Sequence, residues 1–432
     1  MTHTGSEDMH VLLIADGRSP HTRGWIRGLC SIGVETTLLS SRRLLDDDRD
    51  ALAALLPAHA VHEPADLWNT IRPALAALRP PARAGAAPGL GGGEAGAGGT
   101  GGAETRCGPP PPPGLGQRLK EAADLRAARS LGRSMTRLVA SAAPDVVHAL
   151  RIQYEAIAAS SAGAGIPLAV STWGSDLITN AHVSRTVHAR TRRALERADA
   201  FFGDCARDAA LADDFGLRPG TPKHVVPGNF GLDFDTFPAA DPGYLTTYGL
   251  TAGRLVTYPR GVRSCIDHEA LVQAFGMLMA RGVDARFLAA GLHGVIDDAR
   301  QVPGVFACTP ALDHADMLRI AALSTVTVSP STSDGTPNSI LEGLAGGSVP
   351  VCGDLASLRE IESRGAVMVW CDPADPRSIA EGVEAALRLA DDPDVPACNR
   401  AVARRHFGFT ATQETVRQAY AALVTTETTV ES

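Results

Sequence analysis

The eight cysteines of this 432-residue sequence, at positions 30, 107, 205, 265, 308, 352, 371 and 398, include no CxxC pair and no metal-ligand spacing. That argues against a zinc ribbon or a disulfide framework and fits reduced, mostly buried thiols of the cytosol. Long apolar runs are missing too. No window approaches the roughly 18 apolar residues of a membrane helix. VLLIA, after the polar start MTHTGSEDMH, is too short for the apolar region of a signal peptide. Nor is there a basic surplus: 40 Lys and Arg against 48 Asp and Glu give a formal charge of −8, which argues against a general binder of nucleic-acid backbones. The loop after the first strand, ADGRSP, is not GxGxxG, and no nicotinamide fingerprint follows it. No DxD metal motif and no Ser-His-Asp or Cys-His arrangement stands out, and the histidines, His293 and His314 included, form no metal-ligand group. These absences predict a cytoplasmic protein with no nucleic-acid partner, no membrane span and no metal.

What is present is an alternation. HVLLIADG, VETTLLSS, DVVHAL, PLAVSTWG and AFFGDC read as strands separated by helix-length segments such as WIRGLCSIG. After Phe237 a second series follows: RLVTYPRG, ARFLAAG, STVTVSPS, VPVCGD and AVMVWCDP, alternating with segments such as DHEALVQAFGMLMARG and DPRSIAEGVEAALRLA. Continuous apolar strands with intervening helices indicate parallel sheets covered on both faces. The pattern predicts an α/β protein with two doubly wound domains of similar size, whose ligands gather beyond the carboxyl ends of the strands in a cleft between them. Residues 80–116 interrupt the first series with Gly, Ala and Pro at a density that cannot bury enough surface to offset chain entropy. They read as an insertion on the rim of the first domain, either a lid or a neutral expansion.

One stretch carries most of the chemistry: STSDGTPNSILEGLAGGSVPV, Ser331–Val351. It is a loop at a strand end that runs into an apolar helix. Pro337 suits the first helical position, where its missing N–H is not needed. Asn338 and Ser339 then offer free backbone N–H groups at a helix N-terminus, a place for phosphate or sugar oxygens. Glu342 can accept from the vicinal diol of a ribose, and Asp334, in the loop, can hold hydroxyls of a second sugar. The plainer reading makes Asp334 a turn residue and Glu342 a solvated helix position.

Several other residues carry two readings each. Gly17, in ADGRSP, brings backbone close to phosphates or acceptor, or is a turn glycine. His21 and Arg23, in SPHTRGW, reach an acceptor, or are solvated or capping residues. Trp173 and Asp176, in STWGSD, form an acceptor wall, or are a core Trp and a helix N-cap. His148, in PDVVHAL, holds a sugar hydroxyl if it faces the cleft, or is a structural histidine at a strand end.

The Asp334–Val351 block resembles the E-x7-E region of retaining GT-B glycosyltransferases of family four, through Asp334, Gly335, Pro337, Ser339, Glu342, Gly347, Pro350 and Val351. The first acidic residue of that pattern is usually Glu; Asp334 is one methylene shorter. YPRGVRSCIDHEALVQAF is similar to the family segment in which an Arg and a Lys grip the diphosphate; Arg260 matches the Arg, and Arg263 stands in for the Lys. VPGNFGLDFDTF resembles the segment that joins the domains, and GRSPHTRGWIRGLCSIGVETTLLS the loop and helix that line the acceptor side. PDVVHAL and STWGSD resemble strand ends that face the cleft, though Leu150 stands where many members carry a second His.

The resemblance implies a GT-B fold of two Rossmann-like domains facing a deep cleft. An acceptor domain would span 1–235, a donor domain 236–408, and a terminal helix, 409–432, would pack back on the first. It implies a retaining transferase using a nucleoside diphosphate sugar, UDP or GDP, and a small-molecule acceptor, with no metal or other cofactor. Arg260, Arg263, Asp334 and His148 would be catalytic. Glu342, Gly335, Thr336, Pro337, Asn338, Ser339 and Gly17 would bind the donor, and His21, Arg23, Trp173 and Asp176 the acceptor. The Ala-, Arg- and Gly-rich composition fits a high-GC bacterium and secondary-metabolite or sugar–thiol conjugate biosynthesis, as monomer or homodimer. An epimerase or inverting transferase of the same fold, a catalytically silent partner protein, and a two-domain binding protein are the competing readings.

Overall fold

A computed structural model describes residues 9–64, 115–160, 165–296 and 300–427. Except for its last two positions, the 80–116 segment lies outside the described residues. The first sheet comprises β1 (His10–Ala15), β2 (Glu35–Ser40), β3 (Val61–His62), β4 (Val146–Leu150), β5 (Leu168–Ser171), β6 (Ala200–Gly203) and β7 (Lys223–Val225). The second comprises β8 (Leu255–Tyr258), β9 (Arg286–Ala289), β10 (Phe306–Cys308), β11 (Ser324–Ser329), β12 (Val349–Gly353) and β13 (Val369–Cys371). Both are parallel, in the orders β3-β2-β1-β4-β5-β6-β7 and β10-β9-β8-β11-β12-β13. This is the GT-B architecture.

Sequence pattern alone finds every strand except β3, β7 and β10, each two or three residues long and each at a sheet edge. An edge strand so short holds no continuous apolar run to read. Interior strands do. Val11 to Ala15 are fully buried, and alternate residues feed opposite faces: Leu13 packs with Trp25 and Ile26, whereas Leu12 and Ile14 pack with Leu131 and Met135. The helix Phe409–Glu427 seats Val416, Ala419, Tyr420 and Leu423 in the same cluster as Trp25. Among the described residues no helix is long and apolar enough to cross a membrane.

Chain order reverses between β1 and β4 in the first sheet and between β8 and β11 in the second. At each reversal the loops leaving two adjacent strands diverge to opposite faces and open a crevice. The loops after β1 and β4, and after β8 and β11, are therefore where side chains can surround a ligand.

The two domains are tied together at these ends. Glu360, on the second domain's helix Ala356–Ser363, accepts from the backbone N–H groups of Ala206 (2.8 Å) and Arg207 (3.1 Å), which open the first domain's helix Ala206–Asp214. A carboxylate there answers both the unpaired donors and the positive end of the helix dipole. Arg207 donates to the Asp334 carbonyl (2.6 Å) and the Gly174 carbonyl (3.3 Å), and Thr336 Oγ1 to the Asp204 carbonyl (2.5 Å). Gly335 allows the approach, because a β-carbon at that position would collide with the Asp204 carboxylate.

Candidate active site in the interdomain cleft

The crevice of the second sheet is built from two loops. After β11 the chain crosses the strand end through Ser331–Thr336 and enters the helix Asn338–Gly346, with Pro337 as the residue before the first turn rather than its first member. Pro337 supplies no side-chain cap. The first amide of this helix to bond back is that of Ile340, to the Pro337 carbonyl at 3.0 Å. The N–H groups of Asn338 and Ser339 therefore face outward. Around them, Ser333 Oγ, Asn338 Oδ1 and Ser339 Oγ are buried without a hydrogen-bond partner. Native interiors leave few such atoms orphaned, so three together mark a place completed by something polar from outside the chain.

From the loop after β8, Arg260 reaches across. Its Nη1 donates to the Asp334 carboxylate, to Ser331 Oγ (3.0 Å) and to Ser329 Oγ (3.3 Å). Each side chain of the Arg260–Asp334 pair is only 12% exposed. Burial works against the Arg260 charge, but Asp334 more than restores it, and the guanidinium is held above its usual range. The sequence reading gave these two residues separate tasks, whereas the structure bonds them to each other. Arg260 keeps Nε and Nη2 without partners among the described residues. Arg263 is exposed on the same loop, where its backbone N–H donates to His268 Nε2 (3.2 Å).

Glu342 lies one and a half turns into the helix, 7% exposed. Its Oε1 meets His314 Nε2 at 2.9 Å. This hydrogen bond raises the His314 pKa, while Arg27 and Arg23 push it the other way. The latter two stand on the first domain's helix Pro20–Ser31, so that helix faces the second domain's crevice. His314 was set aside in the sequence because it has no metal partner, and it is instead the side chain that orients Glu342.

On the first domain, His21 opens the helix Pro20–Ser31 and points across the cleft: its Nε2 accepts from Asn338 Nδ2 at 3.1 Å. Its ring stacks on Trp173 with centroids 4.8 Å apart. Burial, and then the charges of Arg151, Arg263 and His314, lower its pKa to about 4, so it is a neutral imidazole. Arg23 pairs with Asp48 at 3.6 Å.

Three expectations need correction. His148 does not face the cleft. It is fully buried, with Nδ1 on Tyr420 Oη (2.6 Å), Nε2 on Ser171 Oγ (2.8 Å) and Trp25 edge-on to its ring. Burial lowers its pKa to about 3, and it pins the terminal helix to β4. Asp176 is not an acceptor wall either. Its side chain is wholly buried and accepts from Arg151 Nη2 (2.8 Å), Asn180 Nδ2 (3.2 Å) and the Trp173 backbone (3.2 Å). Gly17 offers no N–H to a donor, because that group is bonded to Ser40 Oγ (3.2 Å). A β-carbon on Gly17 would also run into Leu44.

A cavity of about 740 Å³ opens at the carboxyl ends of β1 and β4. Asp16, Arg42, Arg151, Gln153, Glu155 and Trp173 are among its lining residues. Arg151 to Glu155 were missed in the sequence, although the signal was present: RIQYE follows directly on β4, at the switch point.

At the domain contact, Asp204, Cys205 and Asp208 converge closely enough to suggest a cation site. The cation beside them is the Arg207 guanidinium, 2.9 Å from Asp208. Burial and the neighbouring Asp208 raise the Asp204 pKa to about 7, and burial likewise raises that of the Cys205 thiol.

The family model described as "Glycosyl transferases group 1" matches residues 250–389, and "Glycosyl transferase 4-like" matches 124–204. No curated protein matches the chain by sequence. Among solved structures, sucrose-phosphate synthase from Thermosynechococcus elongatus superposes with a TM-score of 0.67 at 12% identity, over 97% of this chain and all of the other. Anabaena HepE in complex with UDP-glucose gives 0.64 at 13% identity, over 96% of this chain and all of the other. A UDP-N-acetylglucosamine 2-epimerase homologue from Listeria monocytogenes gives 0.56 at 13%, over 94% of each. At such identities these likenesses establish the fold alone. With one glycosyl transferase model on each domain of that fold, the chain is a glycosyltransferase of the GT-B type.

Proposed function

We propose that the enzyme transfers a sugar from a nucleoside diphosphate, UDP in preference to GDP, to a hydroxyl of a small acceptor with retention of anomeric configuration. The observation that carries this reading is the trio of orphaned polar atoms at Ser333, Asn338 and Ser339, on the loop and helix start that also carry Glu342 and Asp334, the partner of Arg260. A sugar nucleotide supplies what each lacks. Its phosphate oxygens accept from the Asn338 and Ser339 amides and the Ser339 hydroxyl. Its ribose diol donates to Glu342, which His314 keeps in place. UDP is preferred because the Anabaena structure of like fold holds UDP-glucose.

The chemistry follows from the charges. Arg260 holds Asp334 through Nη1 and turns Nε and Nη2 to the diphosphate; Arg263 joins it from the same loop, and Arg23 and Arg27 stand opposite. As the bond between the anomeric carbon and the diphosphate oxygen breaks, the guanidinium groups stabilise the growing negative charge. The acceptor oxygen forms its bond to the same face of that carbon. Its proton passes to the departing phosphate oxygen, so charge and atoms balance. Asp334 orients the transferred sugar, and the closed domains exclude water that would hydrolyse the donor. The biosynthetic setting we favour is bacterial secondary metabolism or sugar–thiol conjugate formation.

Calorimetric titration with UDP, GDP, ADP and TDP tests the donor, and NMR of the product anomer tests the stereochemistry. UDP binding with a product of unchanged anomeric configuration supports the reading. An inverted product, or epimerisation of the sugar nucleotide with no acceptor present, overturns it.

A further inference from the structure

The cavity at the ends of β1 and β4 has a chemistry of its own, concentrated in residues 151–156, RIQYEA. Arg151 holds a φ of 141°, a conformation that side-chain-bearing residues rarely adopt and that persists only where surrounding structure enforces it. Ile152–Ala156 then form a single π-helical turn. Such a turn breaks α-helical spacing and re-aims side chains, and it recurs at functional sites. Here it delivers Gln153 and Glu155 into the cavity wall.

Gln153 is incompletely satisfied, and Glu155 is bonded to one other side chain only. Glu155 is 5% exposed, and its one hydrogen bond to another residue comes from Ser41 Oγ, at 2.6 Å. Gln153 donates Nε2 to the Asp176 carbonyl (2.8 Å), while its Oε1 is buried with no partner. The surrounding charges pair off without them: Arg151 with Asp176 at 2.8 Å, and Arg18 (3.0 Å) and Arg42 (3.7 Å) with Asp16. Glu155 enters no ion pair among the described residues. Burial raises its pKa, and the charge of Arg151, which is itself bonded to Asp176, offsets only part of that rise.

An unsatisfied acceptor beside a buried carboxylate able to carry negative charge calls for a ligand group with several donors and a positive charge. Resting on the transferase reading of this cleft, we propose that the acceptor is a small polyol bearing a protonated amine, its ammonium held by Glu155 and Gln153 Oε1 and its ring against Trp173. A hydroxyl in the same place would leave Glu155 with only the charge of Arg151, which Asp176 already engages. An anionic acceptor would have to compete with Asp16 and Asp176 for the nearby guanidinium groups.

The test uses the full chain and two matched probe pairs, glucosamine against glucose and 2-deoxystreptamine against myo-inositol, at a pH where the amines are protonated. UDP is titrated separately. Affinities by calorimetry or saturation-transfer NMR are expected to favour the amine at least tenfold in one pair or both. Glu155→Gln, which keeps the shape and the Ser41 bond, should abolish that preference and leave UDP affinity unchanged. Should that variant fail to fold, Gln153→Leu replaces it, with an expected threefold or greater loss for the amine alone. Equal or undetectable binding within both pairs overturns the proposal, as does an amine preference that survives the substitution. If UDP fails to bind while the amine preference holds, the donor assignment falls and this one stands.

Discussion

The crevice between β1 and β4 and the crevice between β8 and β11 occupy the same topological place in two similar sheets, yet they are built in opposite ways. In the second domain, Ser331 to Glu342 are nearly contiguous, and a single cation, Arg260, comes from the neighbouring loop to pair with Asp334. Its orphaned atoms are neutral oxygens gathered at a helix N-terminus. In the first domain the lining comes from several separate segments, and the cavity is wide, with Arg151 paired to Asp176, Arg18 and Arg42 to Asp16, and the buried Glu155 outside these pairs. On the function proposed above, the difference would match what each recognises: a diphosphate and its ribose recur from donor to donor, so one short motif suffices, whereas acceptors differ from enzyme to enzyme, and dispersed side chains can vary independently.

Substitutions can break this contrast. The largest effect is expected for Arg260→Ala: turnover should fall about 10²- to 10³-fold, the loss typical of removing one transition-state donor, with acceptor affinity barely changed. A comparable fall in acceptor affinity would show that the two crevices are not separate. Glu342→Ala should weaken UDP binding by about ten- to a hundredfold, because a hydrogen bond to a charged group is worth roughly 1.5–3 kcal/mol. Unchanged UDP affinity in a calorimetric titration would remove the ribose from this site.

Gly335→Ala probes the seam between the crevices. The new methyl must displace the Asp204 carboxylate or part the domains, at a cost of about 1–3 kcal/mol, the usual range for overpacking. Thermal melting and small-angle scattering would read the loss and the opening together; a compact, fully stable variant would contradict the tight approach.

The smallest effect concerns pH. Burial and Asp208 raise the Asp204 pKa to about 7. A carboxyl whose pKa is raised on folding binds its proton more tightly in the folded chain than in the unfolded one. Its contribution is therefore fully present below the ordinary carboxylate pKa and is lost as pH rises through about 7. Asp204→Asn should flatten the part of the melting-temperature profile that declines between those limits. An unaltered profile would mean that the acid is ionised throughout.

How much of this was legible beforehand differs by region. Interior strands such as β1 and β11 announce themselves, since burial on both faces demands an unbroken apolar run. The edges β3, β7 and β10 do not. Asp334, Asn338, Ser339 and Glu342 could be placed because they sit on one loop and one helix. His148 could not: its identity and position at a strand end fit a cleft histidine, and only the packing of Tyr420 from the far end of the chain, 272 residues away, makes it structural. Asp176 loses its expected place in an acceptor wall for the same reason, and Glu155 carried no expectation at all. Which acid is sealed beneath Arg151 and which stays outside an ion pair depends on how the loops after β4 and β5 lie together.

Local order alone determined that this chain makes two doubly wound sheets and that a helix start with unbonded amides follows β11, because strand burial, turn chemistry and helix capping act over a few residues. Tertiary structure decided that Arg260 grips Asp334, that Glu360 caps a helix of the other domain, and that Gln153 and Glu155 face an open cavity. Hydrogen bonds and charges are satisfied by whatever lies within a few ångströms in space, and separation along the chain carries no record of that distance.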